Sequence, residues 1–230
     1  RDFKNGSNIE SDSAQTSVTL DEEQTDLLLR HVPAAHDLQL IEVLLTALSL
    51  SLKEWTGQDQ FWIQMEGHGR EPIAENLDTS RTVGWFTTMY PHVLNVNKAR
   101  TIEEAASVVK KQVRDVPNKG FGFGVLRYLA DESARNTMAH IPKPELVFNY
   151  LGQFDSAQGQ GAFSIRPSHE AGAERAADNE REFLIETSAS VVQGRFNFVV
   201  MYDKNTFDSK TINELGHAFK NALDTFIETA

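Results

Sequence analysis

The chain contains no cysteine. Disulfides, thiolate metal sites and a cysteine nucleophile are therefore excluded. No run reaches the roughly 18 consecutive apolar residues of a membrane helix, and residues 1–15 are too polar for a signal peptide. These absences lead us to expect a cytoplasmic protein without a membrane partner. Basic charge is also scarce: 22 Lys and Arg stand against 33 Asp and Glu, a net charge of −11. That balance argues against a nucleic acid as the main partner. The His-Glu-x-x-His pattern of a metal-binding helix and the Ser-centred nucleophile elbow are both missing, so no metal and no serine nucleophile are expected. There is no internal repeat, and the chain does not begin with Met, which reads as a fragment or a processed chain.

What is present suffices for a core: 230 residues, 40% of them hydrophobic, or one domain or two small lobes. Residues 1–15 are rich in Ser, Asn, Asp and Gly and read as a linker. Thr19 and Glu22 have capping-box spacing for a short helix over 20–31, which Pro33 should stop. Asp37 should cap a helix over 38–55, where Ile41, Leu44, Leu45, Leu48 and Leu52 form one apolar stripe. A strand over 60–66 follows. Short extended pieces are expected at 82–86 and 92–96. A second capping box, Thr101 with Glu104, opens a helix to Arg114. Pro117-Asn118-Lys119-Gly120-Phe121-Gly122-Phe123-Gly124 superficially resembles a phosphate loop. It follows a helix rather than a strand and lacks the Gly-Lys-Ser/Thr ending, so a tight turn with aromatic anchors fits better. Residues 145–151 read as a buried strand ended by Gly152. The runs 183–192 and 195–203 flank Gln193-Gly194, a hairpin signal, and a helix over 209–228 closes the chain. This order predicts an α/β layered lobe, a mixed β-sheet with helices packed mainly on one face.

The chemistry-bearing stretch is Glu66-Gly67-His68-Gly69-Arg70-Glu71. In the strand leading to it, Phe61, Ile63 and Met65 share one face and Trp62, Gln64 and Glu66 the other. Glu66 thus stands at a strand end beside glycines that leave room for another backbone or a ligand. Spacing alone leaves two readings open: a polar exit from the strand, or a carboxylate placed for acid/base work.

Four segments in order carry a resemblance. They are 66–71; Arg81-Thr82-Val83-Gly84-Trp85-Phe86-Thr87 with Tyr90-Pro91; 117–124; and Phe148-Asn149-Tyr150-Leu151-Gly152-Gln153-Phe154-Asp155. Together they resemble the signature motifs of epimerization domains of nonribosomal peptide synthetases, and the likeness extends over residues 17–230. It implies a chloramphenicol-acetyltransferase-like fold, in which two lobes enclose a V-shaped tunnel. The N-terminal lobe of that family carries a His-His-x-x-x-Asp-Gly motif, whereas this chain has no adjacent His pair. The chain therefore looks like the C-terminal lobe only, with residues 1–16 as linker. The polar stretch 156–181 is expected to cross to the partner lobe and to be mobile without it.

The resemblance implies inversion, L to D, of the α-carbon of an aminoacyl or peptidyl thioester. That group is carried on the 4′-phosphopantetheine of a peptidyl carrier protein, with no cofactor of the chain's own. Glu66 would be one acid/base, and the His of the missing lobe would be the other or would stabilise the enolate. Tyr150 would donate to the enolate or thioester oxygen, unless it is a core tyrosine. His68, Arg81, Trp85 and Asn149 are the expected tunnel or substrate residues. His68 is expected to shape the loop by a hydrogen bond, Asp78, Ser80 and Arg81 to brace a turn, and Trp85 to line the core or the tunnel. Glu71 is the rival to Glu66, with a surface ion pair as its plainer role. Two alternatives stand beside epimerization: a condensation-type lobe forming amide bonds, and a lobe retained only to dock a carrier protein. Alone, the chain is expected to be inactive.

Overall fold

The computed structural model describes residues 1–4, 6–71, 77–154, 172 and 175–230. Strand β1 (Ser13–Thr19) leads into a helical run. That run is α1 (Glu22–Asp26), a π-helical turn (Leu27–His31) and α2 (Val32–His36). The long α3 (Leu40–Thr56) precedes β2 (Gln60–Gly67), β3 (Thr88–Asn95) and α4 (Ile102–Arg114). An arm of short helices follows, with α5 (Phe121–Gly124), a π-helical turn (Val125–Leu129) and α6 (Glu132–Ala139). The chain closes with β4 (Leu146–Gln153), β5 (Ile185–Val192), β6 (Arg195–Asp203) and α7 (Ser209–Glu228).

The six strands form one mixed sheet in the order β1-β6-β5-β4-β2-β3. The pairs β2–β4 and β4–β5 are parallel, and the other three are antiparallel. Strand alternation gives the sheet two different faces. One face carries Phe61, Ile63, Met65, Leu146, Phe148, Ile185, Ala189, Phe196, Phe198 and Val200, all buried. Helices α3 and α7 cover it with Leu44, Leu45, Leu48, Leu215, Phe219 and Leu223, and the Phe198 and Phe219 rings stack 3.8 Å apart. Each such side chain contributes about 1.5–3 kcal/mol by leaving water, so this layer holds the fold. The opposite face carries Trp62, Gln64, Glu66, Asn149, Glu186 and Ser188; the arm over residues 117–145 crosses part of it, and Arg175 and Arg181 pair with Glu186 on another part. The Trp62 indole Nε1 donates to Pro142 O at 2.8 Å, which ties the arm down.

Several local expectations shift. Residues 13–16 are not linker: they begin β1, which pairs along its length with β6. An edge strand of Ser, Thr and Gln carries too little hydrophobic signal to stand out. The segment before it is also fixed, since the Asn8 amide donates to buried Asp203 Oδ2 at 3.0 Å. The first helix is capped by Asp21 with Gln24 rather than by Thr19. Pro33 does not stop the path, because it sits in the first turn of α2, where a missing N–H costs little. The break comes at Asp37, which is left-handed (φ 51°) and ends α2, so the cap of α3 is Gln39 in a box with Glu42. Gly57 (φ 68°) ends α3 as expected. Thr101 accepts from the Glu104 amide, but the Glu104 carboxylate accepts from Arg100 N at 2.7 Å instead of closing a box. Residues 82–86 form no strand, and β3 begins at Thr88. Gln193 (φ 51°) and Gly194 (φ 72°) make the expected hairpin turn, both central residues being left-handed.

No single helix among the described residues is long and apolar enough to cross a membrane. The bent pair Glu22–His36 and Leu40–Thr56 meets that test jointly, but α3 is a helix of the protein core.

Candidate functional site

The signature segments converge on one end of the sheet, where β2 finishes, β3 begins and β4 finishes. Glu66 lies opposite Met89 in the β2–β3 ladder. On its other side, β4 runs parallel to β2 with Met65 beside Phe148, which places Asn149 next to Glu66. Asn149 Nδ2 donates to Glu66 Oε2 at 2.7 Å. Burial pushes the half-buried Glu66 carboxyl above its ordinary value, and the like charge of Glu186 pushes it the same way; the Asn149 hydrogen bond pulls back. Glu186 lies on β5, on the same sheet face, where Arg181 Nη2 pairs with it at 3.1 Å. A neutral amide therefore holds one oxygen of Glu66, and among the described residues no cation is paired with it. Such a carboxylate is held in place and binds a proton more readily than an ordinary one.

The glycines beside it have steric reasons. Gly69 is left-handed (φ 67°), and a Cβ there would stand 1.5 Å from Phe86 O. The loop after β2 thus lies directly on the backbone of the 81–87 segment. His68 Nδ1 accepts from the Arg70 amide at 3.0 Å, which shapes this loop. The Arg70 guanidinium lies 4.1 Å from the centre of the Phe86 ring. It donates to Thr79 O, and to Thr82 O at 2.9 Å. Arg70 is therefore the brace of the 78–84 turn, a role expected for Asp78, Ser80 and Arg81; of these, the Asp78 carboxylate accepts from the Ser80 amide at 2.8 Å.

Glu71 is not a surface ion pair. Its side chain is 9% exposed and pairs with His68 Nε2 at 3.1 Å and with Lys119 Nζ at 3.4 Å. Lys119 arrives on the glycine-rich segment 117–124, where Asn118 (φ 46°), Lys119 (φ 50°) and Gly120 (φ 83°) are all left-handed. A Cβ at Gly120 would fall 2.0 Å from the Tyr90 ring. The segment is a packing device against β3 that delivers Lys119 to Glu71, and only a glycine fits the contact.

The other expected site residues separate. Tyr150 follows Asn149 directly, so its ring turns to the helix-covered face, packs against the core and hydrogen-bonds Gln153. Burial raises its phenol. The structure does not place it with the Glu66 carboxylate. Arg81 is exposed on its turn. Trp85 is 91% exposed, so it is not a core residue. Asp155, the last residue of the fourth motif, lies outside the described residues. So does most of the 156–181 stretch; its end, 175–181, hydrogen-bonds to residues 8–11. No cluster of His, Cys, Asp or Glu that could hold a metal occurs among the described residues.

Two clefts flank the strand end. One, of about 470 Å³, lies on the Glu66 face between β2, β3 and the arm. The other, of about 520 Å³, runs along Glu66, Gly67 and His68 between β2, β3, α3 and α4. Buried His92 lines the second; its Nε2 has no hydrogen-bond partner, and burial lowers its pKa, which keeps the ring neutral. Glu186 and His92 were not singled out from sequence, because neither lies in a motif and strand order alone brings them here.

The chain matches the family model described as Condensation domain over residues 4–230. It is 36% identical to surfactin synthase subunit 1 of Bacillus subtilis (strain 168), over 99% of this chain and 6% of that protein. It is 35% identical to tyrocidine synthase 2 of Brevibacillus parabrevis, over 99% of this chain and 6% of that protein. Among solved structures, it resembles the epimerization domain from the third module of tyrocidine synthetase B. That match has a TM-score of 0.89 and 35% identity, and covers 99% of this chain and 50% of that one. The chain thus spans a small part of the curated relatives and half of this solved neighbour. PapA2 acyl transferase, at 17% identity and a TM-score of 0.69, shares the fold. By the family match over nearly its whole length and by these relatives, the chain belongs to the condensation-domain family of nonribosomal peptide synthetases.

Proposed function

We propose that this chain is the C-terminal lobe of an epimerization domain, which inverts the α-carbon of an aminoacyl or peptidyl thioester. The group would be held on the phosphopantetheine of a carrier protein, in the cytoplasm. The observation that carries this reading is Glu66: half-buried at a strand end, raised in pKa, and held by Asn149 with no paired cation among the described residues. The likeness to the tyrocidine epimerization domain and the ordered motifs support it.

The thioester carbonyl acidifies the α-hydrogen. The Glu66 carboxylate takes that proton, and the C–H electron pair moves into the enolate. A proton delivered to the opposite face then restores the carbon with inverted configuration. That second donor must lie across the substrate from Glu66. The family resemblance assigns it to the His motif of the N-terminal lobe, so the chain alone would not complete the exchange. Asn149 positions the carboxylate through Oε2, which leaves Oε1 to face the substrate. Tyr150 lies on the other side of the same strand end, so its phenol would reach the substrate only around the end of the sheet. A supporting part suits it better than proton transfer.

The test is α-deuterium exchange into a carrier-bound aminoacyl thioester by the complete two-lobed domain. Glu66→Gln should abolish exchange and leave the circular dichroism spectrum unchanged. Near-normal exchange would move the role elsewhere. Amide formation, which the description of the family model favours, gives a different product. It joins the acyl group to a second carrier-bound amine and frees the first carrier thiol. Product analysis in the same assay therefore separates the two readings. A lobe that only docks a carrier would give neither product.

A further inference from the structure

The arm over residues 117–145 has a part in the site that the family assignment leaves open. It crosses from the β3 edge over the open face of the sheet, and Trp62 ties it down through Pro142 O. Between the arm and the sheet lies the cleft of about 470 Å³. Gln64, Met89 and Pro91 form its sheet side and Phe121, Phe123, Val125 and Leu129 line the arm side. Gln64 precedes Glu66 by two residues on the same face, and Met89 is the cross-strand partner of Glu66. The cleft thus begins one residue from the carboxylate.

The chemistry of this space is apolar. Its charged groups already have partners: Lys143 pairs with Glu182 at 3.4 Å, and Arg127 donates to Met138 O at 3.1 Å. Meanwhile Met89, Val125 and Leu129 are 37%, 41% and 80% exposed, and an apolar occupant would cover them. The cleft on the helix side is mixed: Ile41, Leu45 and Val113 line it together with Glu66, Glu71, Lys119 and His92, whose Nε2 has no hydrogen-bond partner among the described residues. If the α-carbon sits at Glu66, both clefts adjoin it, and of these two the cleft under the arm is the one that leaves large apolar side chains exposed. Its volume lies in the usual range for small-molecule sites.

We propose that the cleft under the arm is the side-chain subsite of the carrier-bound aminoacyl group, and that its lining selects apolar side chains. This rests on the epimerase reading of Glu66. A side chain seated there would leave the α-hydrogen beside Glu66 and the thioester directed away from the arm. Val125 and Leu129, being exposed, are the positions where added bulk would fill the cleft at least cost to the fold.

The test uses the complete domain with carrier protein loaded with alanyl, leucyl, phenylalanyl or aspartyl groups, read by kcat/KM for α-deuterium exchange. Wild-type should favour leucyl and phenylalanyl over aspartyl by at least about tenfold, the scale on which apolar pockets discriminate. Val125→Trp should lower the phenylalanyl-to-alanyl ratio by about tenfold or more. Leu129→Trp carries the same test if Val125→Trp does not fold. Aspartyl exchange equal to leucyl, or a ratio unmoved by a folded variant, would overturn the subsite while the epimerase reading stands. Absence of exchange from every group in the folded wild-type domain would overturn both.

Discussion

Two acidic regions of this chain are built in opposite ways. At the junction of α3 and α4, Glu42 is fully buried and Arg114 grips it with two hydrogen bonds, Nε at 2.6 Å and Nη2 at 3.1 Å. At the end of β2, Glu66 is half-buried, is held by the neutral amide of Asn149 and feels the like charge of Glu186. The first carboxylate has a full counter-charge and serves to lock two helices together. The second has a fixed position but, among the described residues, no counter-charge, which favours its protonated form. A withheld cation is the difference expected between a carboxylate placed for proton transfer and a structural one.

The comparison can be broken most severely at Glu66. In the complete domain, Glu66→Gln should lower α-deuterium exchange by about 10²–10⁴-fold, the usual contribution of a positioned acid/base. Next in size is Arg114→Met, which takes the cation from buried Glu42 and leaves it the Gln39 amide at 2.8 Å. The urea midpoint should fall, by less than for a fully buried pair because the Arg114 side chain is 47% exposed. Replacing both residues by apolar ones should recover much of that loss. An unchanged urea midpoint would show that the pair does not hold the two helices together.

Smaller effects sharpen the same contrast. Glu186→Gln removes a like charge, so the Glu66 carboxyl should fall toward its ordinary value and the acid limb of the pH–rate profile should move to lower pH. Asn149→Leu removes the bond that holds Glu66 down, so that limb should move to higher pH. Limbs moving the other way would mean that Glu66 is not the group titrating. The smallest effect is on stability. A carboxylate raised in the folded state binds its proton more tightly there than in the unfolded chain. Its contribution is therefore most favourable at low pH and is lost as pH rises through the folded pKa. At neutral pH, Glu66→Gln should raise the melting temperature slightly. The gain should vanish below the unfolded carboxylate range, as thermal melts at several pH values would reveal.

Much of the fold was legible because its signals are local. The stripe from Ile41 to Leu52, the alternation in β2 and the Gln193-Gly194 turn each need only a few neighbouring residues. Chain-end and capping details were less legible, since β1 is polar and Asp37 competes with Gln39 for a similar role. At the site, Glu66 and Asn149 could be picked out by motif, but their contact could not. For Glu71 a surface ion pair was expected, whereas the folded loop turns it inward to His68 and Lys119 and sends neighbouring Arg70 to backbone carbonyls.

Local sequence was enough for most helices and strands, for the glycines that permit close approach, and for the ordered motifs that mark the family. These follow from backbone preference and hydrophobic periodicity, which act over a turn or a strand. Only the tertiary structure decided which groups surround Glu66. Parallel pairing of β2 with β4 brings Asn149 to it, alternation along β4 sends Tyr150 to the opposite face, and β5 supplies Glu186. Those neighbours set the protonation of the carboxylate, and strand order and register, which no local spacing encodes, choose them.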